Sequence, residues 1–503
     1  MVLSTILLVL CAFRYATALS VNTLDTSNST AAAEKACNLI KTQFPDLVSF
    51  PGESQFNDAI DHWAISSEQT SACSVEPSNS NDINKNNRAF GRSLSLRNQV
   101  RGHAFVQNFS STPGVQISMS KFNNFVFNKE QSTVTVGVAL TWDQVYEKGD
   151  PLNITVAGGR IKGVGVGGLS LGGGYSWRTD QFGLTIDNIV AHNLVLPNGD
   201  QVRVTNESNP DLFFALRGSL NNFGIVTDIT YKAIPQGEIF GGTILYPSSS
   251  LDQVNEAVSD FNFQNTDPRA QIMLAQNVAN GTLLPTVYLS FNSPDSSDIF
   301  NSFLSIPYTQ ADVKSRTVSD LTNLIGTLNP EFSPFGFTGH SVPVLKYTSS
   351  FNSKSAQLAM ASEARLREQF PSLDLIVSVF LEPFLNPNAH SLGGAYPHTP
   401  ERPLTPISPE ITYFNDPNLT LEEKTSLYNV FAAEIKSLST ALQAEAVSEG
   451  FSRWDDILYS NYVLADTPLE LLFGDNLPRL RGLAAKFDPE RVMTLTGGFL
   501  LQS

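Results

Sequence analysis

Positive charge is scarce in this chain. Its 32 lysines and arginines face 48 aspartates and glutamates over 503 residues, a net charge of −16. Such a surface repels phosphate backbones and anionic lipid, so no nucleic-acid partner is expected. Cysteine is scarcer still: three residues, with no CxxC and no Cys/His cluster, which argues against a structural zinc site. The apolar run in "MVLSTILLVLCAFRYATALS" is too short to span a bilayer, so no membrane partner is expected either. No internal repeat or low-complexity block is found. What is there, 41% hydrophobic and 16% charged residues, is ordinary globular composition, and the length implies two or more domains.

The N-terminal run ends in Ala16-Thr17-Ala18, which fits the small-x-small rule for a secretory signal spanning residues 1–18. No basic residue precedes the run and Arg14 follows it; a buried N-terminal helix is the alternative. Secretion agrees with N-x-[ST] acceptors at Asn28, Asn108, Asn153, Asn206, Asn280 and Asn418. Cys11 leaves with the signal. Cys37 and Cys73 remain, and in an oxidising compartment they most simply form one disulfide, two buried thiols being the alternative.

After the signal, residues 19–64 hold a helical pattern in "AAAEKACNLIKTQF". Alternation then takes over. "STVTVGVAL" (132–140) reads as a strand, and "NIVAHNLVLPNGDQVRVT" (188–205) as two strands joined by the turn Pro197–Asp200. "NPDLFFALRG" reads as a short helix, with Asn209 or Asp211 as cap and Gly218 as stop, and "FGIVTDITYKAI" as a strand. Beyond Pro235, helical segments such as "LDQVNEAVSDFNF", "SAQLAMASEARLREQF" and "EEKTSLYNVFAAEIKSLSTALQAEA" alternate with the strands "TVYLSF", "LDLIVSVFLEPF" and "EITYF". "SLGGAYPHTPERPLTPISP" reads as a proline-rich loop. Strands and helices without strict alternation point to an α+β fold.

The densest signal is "AGGRIKGVGVGGLSLGGGYSWRTDQFGLTIDN" (157–188). Gly163, Gly165 and Gly168 satisfy G-x-G-x-x-G, and Asp187 lies where a dinucleotide fold would place a ribose-binding acid. The following "LSLGGGYSW" is too glycine-rich for the amphipathic helix of that fold, at about 1 kcal/mol per glycine, so the run is read as loop. Glycines this dense let the main chain lie against a flat or phosphorylated ligand; a plain surface loop is the alternative.

Four ordered segments carry a resemblance. The glycine run resembles the flavin-binding loop of the berberine bridge enzyme-like flavoproteins, which belong to the vanillyl-alcohol oxidase superfamily with a PCMH-type FAD-binding domain. "ACSVEP" (72–77) is similar to the family's entry strand, and "DLFFALRGSLNNFGIVTDITY" (211–231) to its D-L-F-W-A-L-R-G-G…F-G-I-V-T segment. "YSNYVLADTPLELLFGDNLPRLRGLAAKFDPERVM" (459–493) is similar to its C-terminal Y-x-N-Y signature. The match covers roughly 35–235 and 450–500. It implies a PCMH-type FAD-binding domain of two α+β subdomains over 65–235. A substrate domain, an antiparallel sheet covered by helices, would span 236–450, and 451–503 would return to the FAD domain.

The resemblance also implies site residues. In "RGHAFVQNFSSTPGVQISM", His103 matches the histidine bonded to the 8α-methyl of FAD, with Gly102 before it. Arg101 stands where the family has glycine, a cation that would either raise the flavin potential or displace the loop. The second, cysteinyl link that some relatives form near Ile161 is excluded, since no cysteine follows Cys73. FAD, singly attached, would lie along Gly163, Gly165, Gly167, Gly168, Gly172, Gly173 and Gly174, with Gly224, Ile225, Val226 and Asn461 as further contacts.

The implied activity is that of a secreted, monomeric oxidase. A small organic substrate passes a hydride to FAD, a base takes a proton, and O2 is reduced to H2O2. Candidate bases are Tyr462, Glu410 and Tyr413, with Glu382 a weaker one; a packed core tyrosine or a surface carboxylate is the bland alternative for each. A carbohydrate oxidase of the same fold and a flavin-binding protein without turnover are the rival readings.

Overall fold

The first helix, Thr26–Gln43, buries Ala33, Ala36, Cys37 and Ile40, the three-and-four spacing of one helical face. The computed structural model describes residues 26–83, 96–99, 102–106, 109–295, 298–326, 335–414 and 419–502. The signal segment, Arg101, Asn108 and Asn418 lie outside the described residues. Cys37 is disulfide-bonded to Cys73, which ties this helix to the first sheet across a sequence separation of 36. Closing a loop of that size stabilises the fold by about 3–4 kcal/mol in the chain-entropy account.

The first sheet holds β1 (Val48–Ser49), β2 (Cys73–Val75), β3 (Leu96–Gln99) and β4 (Val115–Ser118) in the order β1-β2-β4-β3. β2 and β3 run parallel to β4. The second sheet is antiparallel, ordered β5-β6-β10-β8-β9, from β5 (Phe125–Asn128), β6 (Thr133–Gly137), β8 (Ile189–Val195), β9 (Gln201–Val204) and β10 (Ile225–Lys232). The turn at 197–200 joins β8 to β9 as a hairpin. A two-strand ribbon of β7 (Ile154–Thr155) and β11 (Ile234–Pro235) leads into the second half of the chain.

That half is built on one antiparallel sheet of β12 (Ile239–Leu245), β13 (Ala270–Ala279), β14 (Thr282–Phe291), β15 (Gln310–Arg316), β16 (Phe335–Gly339), β17 (Val342–Val344), β18 (Leu375–Leu381) and β19 (Thr405–Phe414). The order is β15-β12-β14-β13-β18-β19-β16, with β17 also on β19. Alternation decides its two faces. Val377, Val379, Leu381, Ile411 and Tyr413 enter one core with the helices Leu251–Gln264, Ser349–Gln369 and Leu421–Ser448. Met273, Tyr288 and Phe380 point the other way and pack against the core of the FAD domain. The α+β architecture expected from the sequence, two subdomains and a helix-covered antiparallel sheet, is the one observed.

Three local expectations need correction. The glycine run is not all loop: Val166–Gly172 is a short helix. Its start is anchored by Val166 N–H to Leu140 O (2.9 Å) and Trp142 N–H to Val164 O (2.9 Å), tertiary bonds that override weak glycine propensity. The end of the proline-rich stretch is strand, not loop. Pro409 falls at the break between the segments of β19 paired by β17 and by β16, and Pro406 opposes Pro343, places where a ladder tolerates proline. Asn209 occupies the N-cap of Pro210–Leu216, but its side chain makes no capping bond. No described helix is long and apolar enough to cross a membrane.

Candidate active site

The glycine run is held from two sides. Gly163 has φ +82°, and a Cβ there would lie 3.0 Å from His103 Nε2, so glycine is what lets the histidine loop close on the run. Gly102 packs against Gly165 in the same closure. On the far side the C-terminal segment clasps the short helix. Ser460 Oγ donates to Gly172 O (3.0 Å), Asn461 Nδ2 to Leu169 O (3.2 Å), and Gly174 N–H donates to Tyr459 Oη (3.1 Å). A side chain on Gly172 would collide with the Asn461 amide. Gly173 and Gly174 end the helix with positive φ, Gly167 is buried within it, and Gly168 is exposed, with open space where a Cβ would stand. Ile225 and Val226 start β10 against β8, Gly224 directly precedes it, and all three are buried.

His103 lies flat on Trp63, ring centroids 4.0 Å apart and planes within 12°. Burial pulls its pKa down to about 4, with a hydrogen bond to the Lys162 backbone opposing. The imidazole is therefore neutral at physiological pH, the form that can act as a nucleophile.

A second group meets this region from three distant segments. Arg160, in the glycine run, pairs with Glu382 at the end of β18. Tyr462 Oη donates to Glu382 Oε1 (3.1 Å), and Arg160 Nη2 donates to Tyr462 Oη (3.3 Å). Arg160 is 4% and Glu382 1% exposed, and the guanidinium lies 5.3 Å from the Phe384 ring centroid and 5.7 Å from that of Trp177. Burial raises the Glu382 carboxyl, and Arg160 opposes the rise. Glu410, half-buried on β19, accepts from Ser408 Oγ (2.8 Å). Burial pushes it up to about 8; the Ser408 bond opposes the shift and the charge of Glu382 adds to it.

The base candidates now separate. Tyr413 is on the opposite face of β19 from Glu410, fully buried against Phe431 with ring centroids 4.4 Å apart, so it is a core residue and not a base. Tyr462 is at the site, but burial and then Glu382 push its hydroxyl well above the ordinary tyrosine range. Its hydroxyl donates to Glu382 there. Glu410 keeps a titratable carboxyl beside the cluster. Asp187 is not a ribose ligand. It accepts from Leu184 N–H (2.9 Å) and Leu392 N–H (2.8 Å) and contacts His398 Nε2 (3.0 Å), tying a loop of the second domain to the first. Sequence reading missed Arg160 and Trp63. Arg160 stood inside the quoted glycine run, but its partner is 222 positions away.

The residues present fit FAD. Ser74 Oγ, Ser110 Oγ, Arg160 Nη1 and Trp177 Nε1 are buried donors with no partner among the described residues, and phosphate and flavin carbonyl oxygens accept from such groups. Residues 71–205 match the family model for the FAD binding domain. An FAD-dependent monooxygenase, drtC, of Aspergillus calidoustus is 26% identical over 93% of this chain and 90% of its own length. An uncharacterized FAD-linked oxidoreductase of Arthroderma benhamiae is 35% identical over 50% of this chain, which spans about half (51%) of that relative. The solved structure of Physcomitrella patens BBE-like 1 superposes with a TM-score of 0.71 at 17% identity, covering 93% of this chain and 98% of the other. The matched domain and the relatives agree on the class, an FAD-linked oxidoreductase. Residues 71–205 form an FAD binding domain, and the fold of the chain is that of Physcomitrella patens BBE-like 1.

Proposed function

We propose that the protein is a secreted, monomeric FAD-dependent oxidase. It takes two electrons from a small alcohol, amine or secondary-metabolite intermediate and passes them to O2. The observation that carries this reading is the buried Arg160–Glu382–Tyr462 cluster beside the glycine run, with Glu410 close enough for its charge and those of Glu382 and Tyr462 to act on one another.

Bound FAD supplies the two-electron acceptor. His103 would hold it covalently. Gly102, Gly163, Gly165 and the helix Val166–Gly172 would hold it by main-chain approach, and the Ser74 and Ser110 hydroxyls by donation to its oxygens. Glu410, once ionised, takes the O–H or N–H proton of the substrate. Tyr462 keeps its proton and holds Glu382 in place. Arg160 balances the charge of Glu382, so Glu410 is left as the carboxylate that titrates. The balance for a secondary alcohol is ketone plus H2O2 from alcohol plus O2.

Secretion is supported by the Cys37–Cys73 disulfide and by the exposure of the acceptor residues Asn153, Asn206 and Asn280. A second reading, favoured by the likeness to drtC over most of the chain, is a monooxygenase that places one oxygen atom in the product and reduces the other to water with two electrons from a nicotinamide reductant, which is added in a parallel arm of the test. Purified protein is tested with alcohols, sugars and amines under labelled O2. Stoichiometric peroxide with unlabelled product supports the oxidase, and label in the product supports the monooxygenase. Flavin that stays oxidised with every compound supports a binding protein without turnover.

A further inference from the structure

The sheet face turned toward the FAD domain carries a row of neutral polar side chains beside Glu410. In the ladder, Glu410 of β19 opposes Ser378 of β18, and Ser378 opposes Asn277 of β13. Ser378 Oγ donates to Asn277 Oδ1 (2.8 Å), and Asn277 Nδ2 reaches Thr286 Oγ1 of β14 only at 3.5 Å. The row therefore runs Glu410–Ser378–Asn277–Thr286 across four strands. Glu410, Asn277 and Thr286 are half-buried and Ser378 is 8% exposed. Ser378 spends its proton within the row, whereas the Asn277 amide keeps donor capacity beyond its one long contact. Phe380 and Tyr288 flank the row on the same face.

Charge narrows what such a row can take. β13, β14, β18 and β19 contain no lysine, arginine or histidine, and Glu410 is their one ionisable carboxylate. The charge of Arg160 is balanced by Glu382, and its open Nη1 is assigned to the flavin. An anion at this face would meet no cation from these four strands and would sit beside a group that becomes negative as pH rises. The net charge of −16 adds long-range repulsion.

We infer that Ser378, Asn277 and Thr286 recognise a hydroxyl of the substrate next to the carbon being oxidised, and that the substrate is an uncharged, hydroxyl-bearing molecule. This rests on the proposed role of Glu410. Asn277 donates to the hydroxyl oxygen, and Ser378 or Thr286 accepts its proton. Phe380 and Tyr288 cover the apolar part of the molecule.

The test uses the flavin-loaded full chain and paired probes: glucose against glucuronate, and hydroxybenzyl alcohol against carboxybenzyl alcohol. Binding is read from the change in flavin absorbance on titration, and turnover from peroxide. The neutral member of at least one pair binds at least tenfold more tightly than its carboxylate. Asn277→Ala and Ser378→Ala each raise the dissociation constant and KM for that member about tenfold, the loss expected for one neutral hydrogen bond, with kcat falling far less and flavin content retained. Asn277→Lys adds a cation and shifts preference toward the carboxylate. Tighter carboxylate binding by the unmodified protein, no spectral response to any neutral probe, or unaltered constants in both alanine variants overturns the inference. Peroxide formation with unaltered constants leaves the oxidase reading standing. Spectral binding without peroxide overturns the oxidase reading and still reads the row.

Discussion

At the scale of single residues, Glu410 and His103 make opposite demands on pH. Glu410, pushed up to about 8, is protonated at neutral pH, so kcat/KM rises with pH and levels above about 8. Glu410→Gln removes that limb and lowers kcat by about 10²–10⁴-fold, the range for loss of a general base. The same shift has a stability consequence. A carboxyl that ionises near 4.5 when unfolded and near 8 when folded binds more protons in the folded state between those values. Its contribution to stability is full below about 4.5 and is lost as pH rises toward 8. Glu410→Gln therefore raises the melting temperature at pH 8 and leaves it unchanged near pH 4.5, which a pair of thermal melts reads. His103 moves the other way, neutral above about pH 4. If it carries the flavin, acid-precipitated protein stays yellow, and His103→Ala releases the colour to the supernatant while the native variant still binds FAD. Full release from the unmodified protein would rule out the bond.

Elements meet through two ties. One is the clasp of residues 459–461 on the short glycine helix. Gly172→Val drives a side chain into the Asn461 amide, so flavin content per protein falls even when the variant is soluble. The other is the loop that runs from β18 to β19 across the FAD domain. Leu385 N–H and Asn386 N–H donate to Asp180 (both 3.0 Å), Tyr396 N–H to Arg217 O (3.2 Å), and Leu392 N–H to Asp187 (2.8 Å). Asp187→Ala leaves the buried Leu184 N–H without its acceptor, at about 1–3 kcal/mol, and removes the acceptor of Leu392 N–H and the partner of His398 Nε2. The expected result is a lower melting temperature with proteolysis concentrated between residues 385 and 404, and an unchanged cleavage pattern would show that the loop is held by its other bonds.

For the whole molecule, export and the disulfide stand together. The mature chain is expected to begin at Leu19 and to lose mass on glycosidase treatment. A chain that begins at Met1 with no mass change would set the secretion proposal aside. Cys37→Ser with Cys73→Ser should cost about 3–4 kcal/mol of unfolding free energy, since the bond closes a long loop in the unfolded chain.

Much of this was legible in residue order alone, because it depends on near neighbours. The helix at 26–43, the hairpin of β8 and β9, and the long helices of the second domain follow from spacing and turn chemistry. The FAD-binding domain was legible in four ordered motifs. Tertiary structure decided the rest. It made a helix of the glycine run, by anchoring Val166 to Leu140. It put Glu410 on one face of β19 and Tyr413 on the other, a difference of strand parity that matters only once helices cover one side. It also raised Glu382 from a weaker candidate to the centre of the site, by bringing Arg160 and Tyr462 to it across 222 and 80 positions. Backbone preference and periodicity act within a few residues, whereas a buried charge finds its partner only when distant strands are already packed.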